Sequence, residues 1–115
     1  MTPPQFFKCL SDDTRLRCIT LLQKEGKLCV CELTVALALS QPKISRHLAS
    51  LRLCSLLQDS REGQWVYYQI NPELPNWATS LLKNVLATVE STKLFKDDLQ
   101  RLQTMNNRPD KLICC

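Results

Sequence analysis

The sequence predicts a mainly α-helical domain with one small β-hairpin, a winged helix-turn-helix that dimerises through its terminal helices. Three observations predict it. Two helical patterns, over 30–38 and 41–53, follow one another across a tight connection, which is the helix-turn-helix arrangement. The tract 57–70 then changes period: Trp65, Tyr67 and Gln69 alternate with Val66, Tyr68 and Ile70, and Arg61-Glu62-Gly63-Gln64 supplies a turn. Finally, a broad apolar stripe of Leu74, Trp77, Leu81 and Val85, with Ala78, Leu82 and Val89 adjoining, is more than so short a chain needs for itself, and two copies are expected to pair along it.

Bulk properties fit one small domain. The 115 residues leave no room for a second core, and 44% hydrophobic residues is an ordinary globular fraction. Residues 1–92 are read as the DNA-binding and dimerisation domain, and 93–115 as a C-terminal helix with a flexible tail. No apolar run reaches the roughly 18 residues of a membrane span, and residues 1–10 lack the features of a signal peptide. The expected location is the cytoplasm. Seven cysteines, an odd number, argue against a fully paired disulfide framework and for thiols in a reducing compartment.

In chain order, 4–9 carries Phe6 and Phe7 and forms a short helix. A second helix starts at Ser11, the expected cap, with Asp12 and Asp13 in the first turn where the helix dipole favours negative charge. Leu16, Cys18, Ile19 and Leu22 continue it to about Lys24, and Gly26 stops it. In the next helix Val30, Leu33 and Leu37 share a face. Ser40 caps the one after, Pro42 fits its first turn, and Ile44, Leu48 and Leu51 face inward. The connection at 38–40 lacks glycine. After the hairpin, Pro72 and Pro75 punctuate the chain before the apolar helix. Leu94, Leu99 and Leu102 indicate one more helix, and 106–115 reads as a loosely ordered tail.

The net charge of +4 permits a nucleic-acid partner without demanding one, but the placement of charge is informative. Acidic residues are absent from 34–58, and Lys43, Arg46, His47 and Arg52 fall within ten positions. The helix at 41–53 presents Gln41, Lys43, Ser45, Arg46 and His47 opposite its apolar face, with Ser40 at its start. These are donors suited to base edges and phosphates in a major groove, as Arg52 is to the backbone. Arg61 and Gln64 at the hairpin tip reach neighbouring phosphates or the minor groove. Tyr67 either donates to a phosphate or packs. The competing reading is an ordinary solvated basic helix, which the surrounding motif disfavours.

Cys29-Val30-Cys31 opens the first helix of the reading motif. Two thiols one residue apart chelate a soft ion through deprotonated sulfurs, or are simply two small buried side chains. Spacing leaves both open. Residues i and i+2 of a helix point roughly 200° apart, so two helical thiols cannot grip one ion, and binding is expected to open the first turn. Cys9 and Cys18 read as core residues.

The sequence resembles the ArsR/SmtB winged-helix repressors, and specifically their arsenical-responsive branch. The tracts that carry the resemblance are FKCLSDDTRL at 7–16, LCVCEL at 28–33, SQPKISRHL at 40–48, Leu51-Arg52, and REGQWVYY at 61–68. It covers roughly 4–90. It implies a homodimer that binds an inverted-repeat operator and is released by As(III) or Sb(III). In that branch a third cysteine follows the first two. Cys29 and Cys31 match the first two ligands, whereas Thr34 stands at the third position. Either two thiols suffice, as an organoarsenical would need, or Cys54, Cys114 or Cys115 completes the site. A zinc-responsive relative would use histidine and carboxylates on the apolar helix, where 74–90 has no histidine. A redox-responsive repressor of the same fold is the other alternative. An enzyme is not expected: there is no Cys-x-x-Cys motif, only two glycines, and a lone histidine.

Overall fold

The computed structural model describes residues 1–105. Its elements run α1 (Pro3–Leu10), α2 (Asp13–Glu25), β1 (Lys27–Cys29), α3 (Val30–Leu37), α4 (Gln41–Leu53), β2 (Leu57–Glu62), β3 (Trp65–Ile70), α5 (Asn76–Glu90) and α6 (Lys93–Gln103). The winged helix-turn-helix expected from the sequence is present: α3 and α4 form the reading motif and the β2–β3 hairpin the wing. The sheet is antiparallel with strand order β1-β3-β2.

Local chemistry explains most element ends. Asp12, rather than the expected Ser11, caps α2: its carboxylate accepts from the Arg15 amide at 3.0 Å, while the Ser11 hydroxyl donates back to Lys8 O and closes α1. Gly26 ends α2 at φ +94°, a conformation strained for other residues. Ser40 caps α4 as expected, accepting from the Lys43 amide at 3.4 Å. Between α3 and α4 the left-handed position falls to Ala38, at φ 55°. A β-carbon there costs roughly 1–2 kcal/mol, which the surrounding packing must offset.

No strand was expected before the helix at 30–38, and Cys29 was read as opening that helix; 27–29 form β1 instead. Lys27, Leu28 and Cys29 pair with Gln69, Tyr68 and Tyr67 of β3. Three residues are too few to show a period in sequence, and their partners lie about forty positions away. The wing is thus tied directly to the start of α3.

One core runs through the domain. Phe6, Ile19, Leu22, Leu33, Leu37, Ile44, Leu48 and Leu51 are buried in it, and Phe6 meets Trp77 edge to face with centroids 5.3 Å apart. Phe95 and Leu102 of α6 join the same core. On α5, Ala78, Leu82 and Leu86 face inward, whereas Trp77, Leu81 and Val85 remain half-buried. The apolar stripe therefore covers its own domain with one edge and leaves the other partly open.

Below the core, α6 is bolted to α3 by charge. The carboxylate of Asp98, with no exposed surface, accepts from Arg17 Nε at 2.8 Å and Nη2 at 2.7 Å, and from Arg101 Nη2 at 2.7 Å. The same guanidinium groups donate to the last carbonyls of α3: Arg17 to Leu37 O at 3.0 Å and Arg101 to Ala36 O at 2.8 Å. Helix ends leave such carbonyls without intrahelical partners, and cations suit the negative end of the helix dipole.

Candidate functional site

The first part of the site is the outer face of α4. Gln41, Ser45 and Arg46 are exposed, as is Ser40 at the cap, and Lys43 is half-buried. Ile44, Leu48 and Leu51 hold the opposite face in the core, so the exposed row is fixed by packing rather than by its own contacts. Arg61 and Gln64 are exposed at the wing tip, around the turn at Gly63. Arg52 is turned toward the wing and pairs with Asp59 at 3.3 Å. His47 is more inward than the sequence indicates. Its side chain is 16% exposed, and Nδ1 accepts from Arg15 Nε at 3.2 Å. Burial lowers the pKa of His47, the nearby Arg15, Lys43 and Arg46 lower it further, and Asp12 opposes them. His47 is therefore a neutral link between α2 and α4.

The second part is the Cys29–Cys31 pair, in which Cys31 is held in a disulfide and Cys29 is not. Cys29 is not inside the helix: it is the N-cap of α3, with extended backbone at φ −89° and ψ 170°, while Cys31 sits in the first turn. This corrects the expectation that helical spacing keeps the two sulfurs apart. The extended residue swings its side chain back over the turn, and the sulfurs lie 3.6 Å apart. Two thiolates each about 2.3 Å from one soft ion, at about 100° to each other, stand about 3.5 Å apart. With Cys31 reduced, the pair matches that spacing without unwinding of α3. It lies at the positive end of the helix dipole, which favours anionic sulfur. Buried Glu32 completes a capping box, its Oε1 accepting from the Cys29 amide at 2.9 Å.

Thr34, where a third thiol would stand, returns its hydroxyl to Val30 O at 2.9 Å. Cys54, considered as a third ligand, is instead bonded to Cys9. It lies at the C-terminal end of α4 against α1, whereas Cys29 lies in the sheet. Cys9 and Cys18 are both buried as expected, Cys9 within this cross-link. Cys114 and Cys115 lie outside the described residues. Among the described residues no group of three or more His, Cys, Asp or Glu side chains converges as a metal site.

Comparison with known proteins bears on both parts. Residues 12–59 match the family model for bacterial regulatory proteins of the arsR family. The chain is 52% identical over 115 residues to the arsenic resistance transcriptional regulator ArsR1 of Pseudomonas putida, covering all of this chain and 88% of that one. The chain belongs to the ArsR family. To the arsenical resistance operon repressor of Escherichia coli this ArsR-family chain is 51% identical over 82 residues, covering 71% of this chain and 70% of the relative. The crystal structure of the AntR antimony-specific transcriptional repressor superimposes with a TM-score of 0.61 at 30% identity, over 74% of each chain. Family and relatives are transcriptional regulators rather than enzymes.

In this ArsR-family chain the matched stretch runs from the cap of α2 into β2, so it contains the thiol pair and α4 together. Several residues that shape the site carry no signal in sequence. Lys27 lies over the Tyr67 ring, 5.0 Å from its centroid, and pairs with Glu62 across the sheet. Tyr67 stands opposite Cys29, half-buried; burial raises its hydroxyl pKa, and Cys29 and Glu32 add to the effect, so it remains a proton donor. The spacing of Glu32 three residues after Cys29 is that of a capping box, but with cysteine in place of the usual Ser or Thr it gives no clear signal in sequence.

Proposed function

We propose that the chain represses an arsenic-resistance operon, binding operator DNA through α4 and the wing and leaving it when trivalent arsenic or antimony bridges Cys29 and Cys31. The 3.6 Å separation of the two sulfurs at the start of α3 carries the reading. Bridging starts once a dithiol reductant has freed Cys31 from its disulfide, and is then a condensation: two thiols and As(OH)3 give a bis-thiolate As–OH and two waters, with no change of oxidation state at arsenic. Cys29 belongs at once to the ladder with β3 and to the cap of α3, and Cys31 to its first turn. An ion drawing the two together strains both the wing and the helix that leads into α4. Ligation and DNA binding then oppose each other with equal and reciprocal coupling.

DNA contact falls to Ser40, Gln41, Lys43, Ser45 and Arg46 on α4, with Arg61 and Gln64 on the wing. Arg52 and Tyr67 support the wing from its inner side, and His47 orients α4 through Arg15. The active species is a homodimer, paired along the half-buried edge of α5 at Trp77, Leu81 and Val85, and it works in the cytoplasm where its operator lies. No helix among the described residues is long and apolar enough to cross a membrane.

The test is fluorescence anisotropy of the chain on a duplex of its own promoter, titrated with arsenite and separately with antimonite. The wild type is expected to leave the duplex. The double variant Cys29→Ser, Cys31→Ser is expected to stay bound at concentrations at least tenfold higher. Equal release of wild type and variant defeats the assignment of the thiol pair. Failure of the ion-free chain to bind the duplex, or binding that does not weaken with salt, defeats the DNA reading itself.

A further inference from the structure

We propose that Cys9 and Cys54 form a redox-modified site, separate from the metalloid pair, that fastens α4 to α1. The two cysteines are 45 positions apart in sequence and bonded in the fold, with their Cα atoms 6.8 Å apart. That separation lies at the upper limit of what a disulfide spans. Cys9 sits in the last turn of α1, and Cys54 is the C-cap of α4, so the bond joins the N-terminal helix to the base of the helix that reads DNA. Disulfides in chains that work in a reducing compartment are typically transient and redox-sensing.

The surroundings suit thiol chemistry. A cleft of about 500 Å3 opens beside the pair, lined by Lys8, Cys9, Arg15, Ser50, Leu53 and Cys54 among others. Cys54 is half-buried and faces solvent, whereas Cys9 is only 6% exposed. Lys8 and Arg15 place cationic groups by the cleft, which favours the thiolate needed for attack. Cys18 is the contrast within the same domain: it has no exposed surface, and burial pushes its thiol up to about 12, so it stays protonated and inert.

The chemistry balances with hydrogen peroxide as oxidant. The Cys54 thiolate attacks the peroxide oxygen, and with one proton from solvent gives the sulfenic acid and water. The Cys9 thiol then displaces the hydroxyl as a second water and forms the disulfide. A dithiol reductant reverses it, taking up the cross-link as its own disulfide. The two elements are already in contact without the bond: Arg15 donates to Cys9 O at 3.3 Å and to His47 of α4 at 3.2 Å. Oxidation therefore tightens an existing junction and lowers the ordering cost of presenting α4 to DNA.

This inference rests on α4 being the DNA-reading helix, and its test separates the two. The full-length chain is reduced with a dithiol, desalted, and treated with stoichiometric hydrogen peroxide. Peptide mapping by mass spectrometry, thermal unfolding, and anisotropy on the promoter duplex follow, with Cys9→Ser and Cys54→Ser in parallel. The expected result is a Cys9–Cys54 linked peptide and a midpoint rise of at least about 5 °C from closing so long a loop. Promoter affinity is expected to tighten at least threefold. All three effects reverse with dithiol and are missing in both variants. Absence of the linked peptide, equal affinity of the reduced and oxidised chains, or a change that persists in Cys9→Ser overturns the inference. A reduced chain that does not bind the duplex at all instead defeats the assignment of α4.

Discussion

At its N-terminal end α3 is capped by a sulfur residue and one carboxylate, with the Cys29 amide on Glu32 and the two sulfurs 3.6 Å apart. At its C-terminal end two guanidinium groups hold the last carbonyls, and both are anchored on the buried carboxylate of Asp98. The N-terminal end carries a single carboxylate on one amide, beside two sulfurs that suit a soft ion. The C-terminal end is closed by two guanidinium groups that share one buried carboxylate, a network of charge-assisted bonds. Held in this way, α3 is expected to pivot rather than slide, with movement imposed at Cys29 and Cys31 resisted at Ala36 and Leu37, next to the turn that leads into α4. Under the proposed function, that contrast would carry a small adjustment of two sulfurs to the face proposed to read DNA.

The contrast is most severely tested at Asp98. Asp98→Ala strands Arg17 and Arg101 without their carboxylate, and loss of one partner of a buried ion pair costs about 3–5 kcal/mol. Arg17, whose pKa is raised chiefly by its hydrogen bond to Asp98, is the more buried of the two arginines. Urea unfolding is expected to show that loss; a change below about 1 kcal/mol means the C-terminal end is not clamped by charge.

Glu32→Ala probes the other end. Removing one limb of a capping box is expected to cost about 1 kcal/mol in the same measurement. If Glu32→Ala proves as damaging as Asp98→Ala, the two ends are equally rigid and the pivot fails.

On the neighbouring helix, Arg46→Ala is expected to weaken promoter binding by about 1–3 kcal/mol while leaving the unfolding midpoint within a degree or two, as fits an exposed contact residue. Anisotropy and thermal unfolding on one preparation check it.

The smallest effect concerns the link between α2 and α4. Because His47 has a folded pKa below the ordinary 6.5, the unfolded chain takes up the proton more readily. Its contribution to stability is fully present above that value and declines as pH falls through 6.5 toward the folded pKa. Stability is expected to dip between pH 7 and 5.5, and His47→Gln to remove that part of the dip. An unchanged profile in the variant would assign the dip to other groups.

What was legible in the sequence follows from how local the signals are. The bounds of α4 were readable because Ser40, Pro42 and the spacing of Ile44, Leu48 and Leu51 all lie within the element. The hairpin was readable from its alternation and its turn at Gly63. β1 was not, since its identity depends on Tyr67, Tyr68 and Gln69. The same shortfall misjudged the thiol pair: a helical period applied to Cys29 points the sulfurs apart, whereas pairing with β3 keeps that residue extended and brings them together. The Asp98 cluster joins positions 17, 37 and 98 through contacts no window spans, and only its Asp98–Arg101 pair is local.

The rung that pairs Cys29 with Tyr67 has one further consequence. Under the proposed function, sensor and wing meet there in a single backbone ladder. Selection at that rung is therefore pleiotropic: a change of side chain at position 67 that alters how the wing lies on DNA also alters the room left for an inducer. Shifting such a repressor to a bulkier inducer is then expected to require compensation in the wing.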